Sequence, residues 1–328
     1  MNIFRVGLVM ACLTSALPVL AAQEDFASWL AGVKAEAAAN GIDQNVLDQA
    51  LDGIQPIDKV LEADRKQPEF TMSFDDYMAR VVSPNRVKDG KLRFAQNKKA
   101  LKPIAEREGV PSTQIVAMWG IESNYGQNIG NFQILPALAT LAYDGRRSQY
   151  FRTELMKALT MVSQGVPPEH MRGSWAGAMG QCQFMPSTYL NFAQAAEGTA
   201  PADIWSNQQD VWASTAHYLS GLAWKPGQHW GWAAKLPKRG VAPALFGMDE
   251  ARPLQDWVRL GVRRADGKKL TGSEVKYALI RVDGDKTGKG GEGPAYLVGD
   301  NFRALLHWNR SFFFAVAAGT LADRIASR

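Results

Sequence analysis

Cysteine is nearly absent from this 328-residue chain, which has two, Cys12 and Cys182. Cys12 lies in an N-terminal segment read below as a removable leader, so one thiol remains and no internal disulfide can form. The fold must be stabilised by its core, and the length is ample for one. Histidine is also scarce: His170, His217, His229 and His307 include no pair at helical ligand spacing, which argues against a catalytic zinc. No Gly-x-Ser-x-Gly elbow occurs, because in Gly173-Ser174-Trp175-Ala176-Gly177 the serine stands one place early. Cys182, between Gln181 and Gln183, reads as a packed small residue rather than a nucleophile. The net charge of +5 comes without a dense Lys/Arg stripe, so nucleic acid is not an expected partner and an anionic polymer suits the chain better. Beyond residue 20 no stretch is apolar enough to span a bilayer. A hydrophobic content of 46% with 21% charged residues excludes a disordered chain.

The first 21 residues have the pattern of a secretory signal peptide. One cation (Arg5) precedes the apolar run Val6–Leu20, and the small residues Ala21 and Ala22 come before Gln23-Glu24-Asp25. Export to the periplasm is the expectation. A membrane anchor would need about 20 apolar residues. Lipid attachment at Cys12 would leave six residues after Arg5, an unusually short apolar region.

At about 150 residues per domain, the length predicts two domains or one large domain with an insertion. Residues 22–105 read as helical. Phe26, Trp29, Leu30 and Val33 share a helical face, and Asn40-Gly41 supplies a stop. Further helices are expected around Val60–Lys66 and Phe74–Val82, and another from Pro103 after the Lys-rich stretch Lys88–Lys102. Residues 106–235 read as helices broken by Gly- and Pro-containing turns. Residues 236–300 read as a small antiparallel β insert, with strands at Trp257–Val262, Val275–Val282 and Ala295–Val298. The loop Asp283–Gly293 is read as a hairpin connection; its Thr287-Gly288-Lys289 lacks phosphate-loop spacing, and Pro294 stands where a calcium loop would close with Glu. Helical periodicity returns over 301–328. The fold class is α+β, mainly α.

Pro111-Ser112 opens a helix with Ser112 as a suitable N-cap, and Asn124-Tyr125-Gly126 ends it. Glu122 then lies in the last turn, with Trp119, Met118 and Ile115 at i−3, i−4 and i−7. A carboxyl on that apolar stripe, near the negative end of the helix dipole, has its pKa pushed upward, as a general acid requires. Periodicity alone leaves a second reading open, a buried Glu paired with an Arg for structure. Fifty residues on, the string Gly173-Ser174-Trp175-Ala176-Gly177-Ala178-Met179-Gly180-Gln181-Cys182-Gln183-Phe184-Met185-Pro186 combines small residues, which permit close backbone approach, with hydroxyl, amide and aromatic groups suited to sugars.

Three ordered motifs resemble the lytic murein transglycosylase B family: Gly120-Ile121-Glu122-Ser123-Asn124-Tyr125-Gly126, Asp144-Gly145-Arg146-Arg147, and the 173–186 string. The resemblance runs from about Phe26 to the end, including Tyr77 to Arg86 and Trp308-Asn309-Arg310-Ser311. It implies a soluble periplasmic-type enzyme with a lysozyme-like core, a helical N-terminal region and a β insert. It also implies that Glu122 acts alone, first as acid and then as base, on the N-acetylmuramic acid–N-acetylglucosamine bond of peptidoglycan, leaving 1,6-anhydro ends. The muramic 2-acetamido group would assist, so no second carboxylate is needed, and Asp144 and Glu154 read as structural.

By the same resemblance, Ser174 and Gln183 would orient the acetamido group and Glu122. Arg146 and Arg147 would bind lactyl or peptide carboxylates, unless they are a solvated pair. Tyr77, Phe184, Met185, Tyr218 and Asn309 would line the glycan groove, with peptidoglycan strands as the partner and other cell-wall enzymes as further candidates. Most of the six tryptophans between Trp175 and Trp232 read as core. Two departures stand out. The family's calcium loop is represented by Asn191–Trp205, where only Glu197 and Asp203 are carboxylates, so no metal and no cofactor are expected. Trp308 and Phe314 replace tyrosines, removing hydroxyls from that wall. The rival activities are a hydrolytic muramidase on the same scaffold and a non-catalytic wall-binding scaffold protein.

Overall fold

Helix signals along the chain decide where the elements begin. A computed structural model describes residues 25–66, 72–198, 200–270, 275–282, 288 and 291–327. Residues 1–21, expected to be a leader, and Cys12 among them lie outside the described residues, as does most of the 283–290 loop. Asp25 accepts from the Ser28 N–H and opens α1 (Phe26–Ala39), which stops at Asn40 and the left-handed Gly41. Next come α2 (Gln44–Leu51), α3 (Asp58–Arg65) and α4 (Phe74–Val81), the last capped by Ser73. Ser83 caps α5 (Pro84–Glu108), a single helix of 25 residues. No new helix starts at Pro103, contrary to the sequence reading. The proline sits inside α5, removing one backbone donor, while Leu101 and Ile104 beside it are buried in the core. Tertiary packing outweighs the local break.

The central helix is α6 (Ser112–Ser123). Its N-cap is Pro111, whose carbonyl accepts from Gln114 and Ile115, and Ser112 makes no capping bond. Residues 114–120 of α6 are all buried, so it is enclosed on every side rather than along one stripe. It packs against α5 and, later in the chain, against α10 and α13. After α6 the chain continues through β1 (Phe132–Gln133), α7 (Ile134–Asp144), α8 (Ser148–Ser163), β2 (Arg172–Gly173), α9 (Pro186–Phe192) and α10 (Gln208–Gly221). Strands β1 and β2 pair antiparallel, with Phe132 opposite Gly173.

A second sheet follows from β3 (Gly231–Lys235), β4 (Arg252–Pro253), β5 (Arg263–Arg264), β6 (Lys276–Arg281) and β7 (Ala295–Val298). Its order is β4-β6-β7-β3-β5, antiparallel throughout. Strand β3 lies ahead of the expected boundary at 236. Both faces are covered. Tyr277, Leu279, Ala295 and Leu297 join a small core with Trp257 and Phe246, while Ala278, Ile280, Tyr296 and Val298 face the main core. The segment around Trp257, read as a strand, is the helix α11 (Leu254–Arg259), with the Trp257 indole buried and donating to the Tyr277 carbonyl at 2.7 Å. Its apparent alternation was too short to distinguish strand from helix. The chain closes with α12 (Asp300–Trp308) and α13 (Phe312–Ala326), which lies along α6. Among the described residues, no helix is long and apolar enough to cross a membrane.

Candidate active site

Glu122 is placed by the way α6 ends. Asn124 and Tyr125 both take positive φ (50° and 60°), turning the chain back sharply. The Tyr125 ring folds under the helix end, edge-on to Trp119 at 5.4 Å, and its hydroxyl donates to the Arg86 carbonyl of α5 at 2.7 Å. That ring needs a residue without a side chain at position 120, because a Cβ there would lie 2.6 Å from it. The Gly120–Gly126 motif is therefore a device for ending α6 tightly with Glu122 in its last turn.

Trp308, at the end of α12, donates its indole N–H to Glu122 Oε1 at 2.7 Å. Glu122 remains partly open to solvent. Burial of the carboxyl pushes its pKa up to about 8, with the Trp308 hydrogen bond pulling the other way. Three further titratable groups lie within its electrostatic reach. Burial raises the Tyr77 phenol to about 12, helped by Glu122 and opposed by Arg86. Burial also raises Tyr218, against a hydrogen bond with Thr188. Cys182 is buried and raised to about 12, chiefly by desolvation, so it is not a nucleophile.

The indole of Trp308 is held by other rings, with Tyr218 at 4.7 Å and Phe184 at 5.6 Å. Phe192 stacks obliquely on Tyr218 at 4.6 Å. Phe184 is only 2% exposed, so it supports this cluster from behind instead of lining a groove. Tyr77 packs against Phe313 of α13. Asn309, next to Trp308, is exposed. Thus Glu122, Tyr77, Tyr218 and Phe184 are brought together by segments from four parts of the chain.

The 173–186 string folds into a tight set of bridges, Gly173 with Met179 and Met179 with Phe184. Ser174 Oγ accepts from the Ala178 N–H at 3.1 Å. The Gln183 amide donates to the carbonyls of Ile129 (3.0 Å) and Gly180 (2.9 Å), which occupies both of its hydrogens. Neither Ser174 nor Gln183 hydrogen-bonds Glu122 here. The carboxyl's hydrogen-bond partner is Trp308, where a tyrosine hydroxyl is missing from the wall. An indole N–H is itself a donor, and that was the available signal. Phe314 is buried and takes no part in the wall. Met185 caps α9 and is partly exposed.

Arg146 and Arg147 have a partner that the sequence did not suggest. Arg146 Nε donates to Asp64 Oδ2 at 2.8 Å, and Arg147 holds the other oxygen. Burial opposes the Asp64 charge, but the two guanidiniums outweigh it and keep its pKa below the usual carboxylate value. Of the two other carboxylates considered, Asp144 pairs with Arg65 at 2.8 Å, and buried Glu154 accepts from both the N–H and the hydroxyl of Ser187. Four of the six clustered tryptophans (Trp212, Trp224, Trp230, Trp232) are buried, while Trp175 and Trp205 are partly open.

At the loop before α10 the carboxylates of Asp203 and Asp210 are engaged by backbone donors. Asp203 Oδ1 accepts from the N–H groups of Trp205 and Ser206. Asp210, in the first turn of α10, accepts from Ala196 and Asp203 N–H groups with its two oxygens. These carboxylates act as loop caps. Among the described residues, no group of three or more His, Cys, Asp or Glu side chains is placed to hold a metal.

Comparison with known proteins identifies the family. Residues 25–323 match the transglycosylase SLT domain. The membrane-bound lytic murein transglycosylase B of Escherichia coli (strain K12) is 29% identical over 300 residues, which covers 88% of this chain and 79% of that protein. SltB3 from Pseudomonas aeruginosa, solved in complex with NAG-anhNAM-pentapeptide, matches with a TM-score of 0.85 at 40% identity, over 92% of this chain and 79% of that one. The Escherichia coli lytic transglycosylase Slt35, solved in complex with calcium, gives a TM-score of 0.73 at 28% identity, over 92% of each chain. With the α+β, mainly helical, lysozyme-like fold of those structures and a match along nearly its whole described length, the chain belongs to the lytic murein transglycosylase B family.

Proposed function

We propose that this protein cleaves the β-1,4 bond between N-acetylmuramic acid and N-acetylglucosamine in peptidoglycan without water, with Glu122 as its single acid and base. The observation that carries the reading is the state of that carboxyl: partly open to solvent, raised to about 8, and hydrogen-bonded to an indole rather than to a cation. A carboxyl protonated near neutral pH can donate to the bridging oxygen as the bond to C1 breaks. The ionised Glu122 then accepts the proton of the sugar's 6-hydroxyl while that oxygen bonds C1, closing the 1,6-anhydro ring. The other carboxylates considered, Asp144 and Glu154, are engaged in structural pairs, in keeping with a one-carboxylate scheme. The SltB3 complexes with NAG-anhNAM-pentapeptide and NAG-NAM-pentapeptide support the substrate class.

Tyr77, Tyr218, Met185 and Asn309 are the proposed sugar contacts, and Ser174 and Gln183 the groups nearest the acetamido position. Gln183 would act there through its oxygen, since its hydrogens are engaged. The exposed flanks of Arg146 and Arg147 would meet peptide carboxylates. We place the enzyme in the periplasm, exported by the leader at residues 1–21, acting on glycan strands and beside other wall enzymes. The test is mass spectrometry of sacculus digests. Products lighter by one water than reducing muropeptides are expected, and reducing ends would establish a hydrolytic muramidase instead.

A further inference from the structure

Glu122 has two carboxyl oxygens, and they are not equivalent. Oε1 receives the Trp308 indole N–H at 2.7 Å. The indole is fixed by Tyr218 and Phe184, so the donor cannot swing away without breaking up the ring cluster. An indole N–H only donates and is far too weak an acid to give its proton to a carboxylate, whereas a hydroxyl in the same place could donate or accept and so sit against either oxygen in either state. We infer that Trp308 is a positioning residue that keeps Oε1 as an acceptor throughout the cycle and thereby assigns the travelling proton to Oε2. This rests on Glu122 being the acid and base.

The assignment has a catalytic consequence. In the neutral carboxyl, Oε1 is the carbonyl oxygen and Oε2 carries the hydrogen. When Oε2 gives that hydrogen to the bridging oxygen, the electrons of the breaking C1–O bond stay with the departing sugar's oxygen. The bond from Trp308 to Oε1 then becomes charge-assisted and roughly twice as strong. The gain appears as the carboxylate forms, so it stabilises the transition state more than the ground state. In the second half, Oε2 accepts the 6-hydroxyl proton and the starting arrangement returns.

The groups facing this carboxyl from the surrounding elements do not compete for the proton. Tyr77 from α4 and Cys182 from the string are both raised to about 12, and Tyr218 from α10 is raised above its ordinary value; the charged group acting on Tyr77 from α5 is the Arg86 guanidinium. An alkaline limb in the rate profile therefore reports Glu122.

The test replaces the N–H and keeps the ring. Trp308 is exchanged for benzothienylalanine, which substitutes sulfur for the N–H, and also for Phe and Tyr. Profiles of kcat against pH are measured on purified sacculi, and Glu122 is titrated directly by carbon-13 NMR of labelled protein. With the N–H removed, kcat should fall about tenfold or more, and the Glu122 titration and the alkaline limb should both move up by about one pH unit, because the ionised form has lost a charge-assisted donor. Trp308→Tyr, whose hydroxyl can serve either oxygen, should bring the titration back toward its wild-type position while restoring only part of kcat. A titration that stays in place, with only KM raised or stability lowered, would overturn the inference and leave Trp308 a packing residue. If Glu122→Gln remains active, the acid–base reading itself fails, while the NMR titration still decides whether Trp308 controls the carboxyl.

Discussion

Trp119 and Gln181 are joined by a buried hydrogen bond, indole Nε1 to amide Oε1 at 2.7 Å, and the same amide donates to the Trp205 carbonyl at 2.8 Å. One side chain thus ties the helix carrying Glu122 to the glycine-rich string and to the loop before α10. Gln181→Leu keeps the approximate volume but leaves the indole N–H unpaired in the core. We expect a loss of about 1–3 kcal/mol, read by denaturant unfolding. An unchanged midpoint would mean that the indole finds another acceptor.

Glu122→Gln should separate activity from stability. Gln cannot shuttle a proton, so a drop in turnover of at least roughly 10²–10⁴ is expected. The folded carboxyl titrates near 8 against an ordinary value of 4.5, so its favourable contribution is complete below about 4.5 and is lost as pH rises through 8. The Gln variant should therefore match the wild type in acid and exceed it in melting temperature increasingly toward pH 8. Wild-type cleavage should decline over the same upper range. Near-normal turnover in the variant would remove Glu122 from the mechanism.

Asp64→Asn tests the clasp on Arg146 and Arg147. The aspartate is buried while both guanidiniums are half exposed, so solvent replaces part of what is lost, and about 1–3 kcal/mol is expected rather than the larger penalty of a fully buried pair. The Asp64 pKa is depressed on folding, so its stabilisation is present above about 3.8 and disappears as pH falls below that value. Variant and wild type should converge in acid. Substituting both arginines by Gln should raise KM for peptide-bearing strands but not for naked glycan. An equal change with both substrates would assign the pair to structure alone.

Calcium should leave the fold untouched. A site filled at 100 times its Kd would add about 2.7 kcal/mol, a shift easily seen in thermal unfolding. We expect equal melting temperatures in millimolar calcium and in excess chelator. An upward shift with calcium that vanishes in an Asp203→Asn, Asp210→Asn variant would falsify the reading of these residues as loop caps.

Some of this protein was legible in its sequence because the signal was local. Phe26, Trp29, Leu30 and Val33 mark α1 by their spacing, and Asn40-Gly41 ends it with a backbone conformation that acts within a few residues. Glu122 stood out because the turn Asn124-Tyr125-Gly126 fixes it in a last helical turn. The misreadings share a different cause. Pro103 looks like a helix start, but the core contacts of Leu101 and Ile104 hold one helix through it. Residues 257–262 alternate too briefly to tell strand from helix, and Trp257 packs beneath β6 from a helix. Partners from distant segments left no local trace: Asp64 for the two arginines, Gln181 for Trp119, and Trp308 for Glu122. In each case the donor or acceptor type was visible, and the pairing was set by how helices cross.

Glu122 and Trp308 are 186 residues apart in the chain, and α13, which follows Trp308, lies along the helix that carries Glu122. Order of synthesis therefore matters. A chain emerging from its N-terminus carries the reactive carboxyl well before it carries the donor that completes the site. Docking of α12 and α13 onto α6 brings the Trp308 donor to the Glu122 carboxyl. The carboxyl and its donor thus come from the middle and the C-terminal part of the chain, and the pair exists only once those parts have packed together.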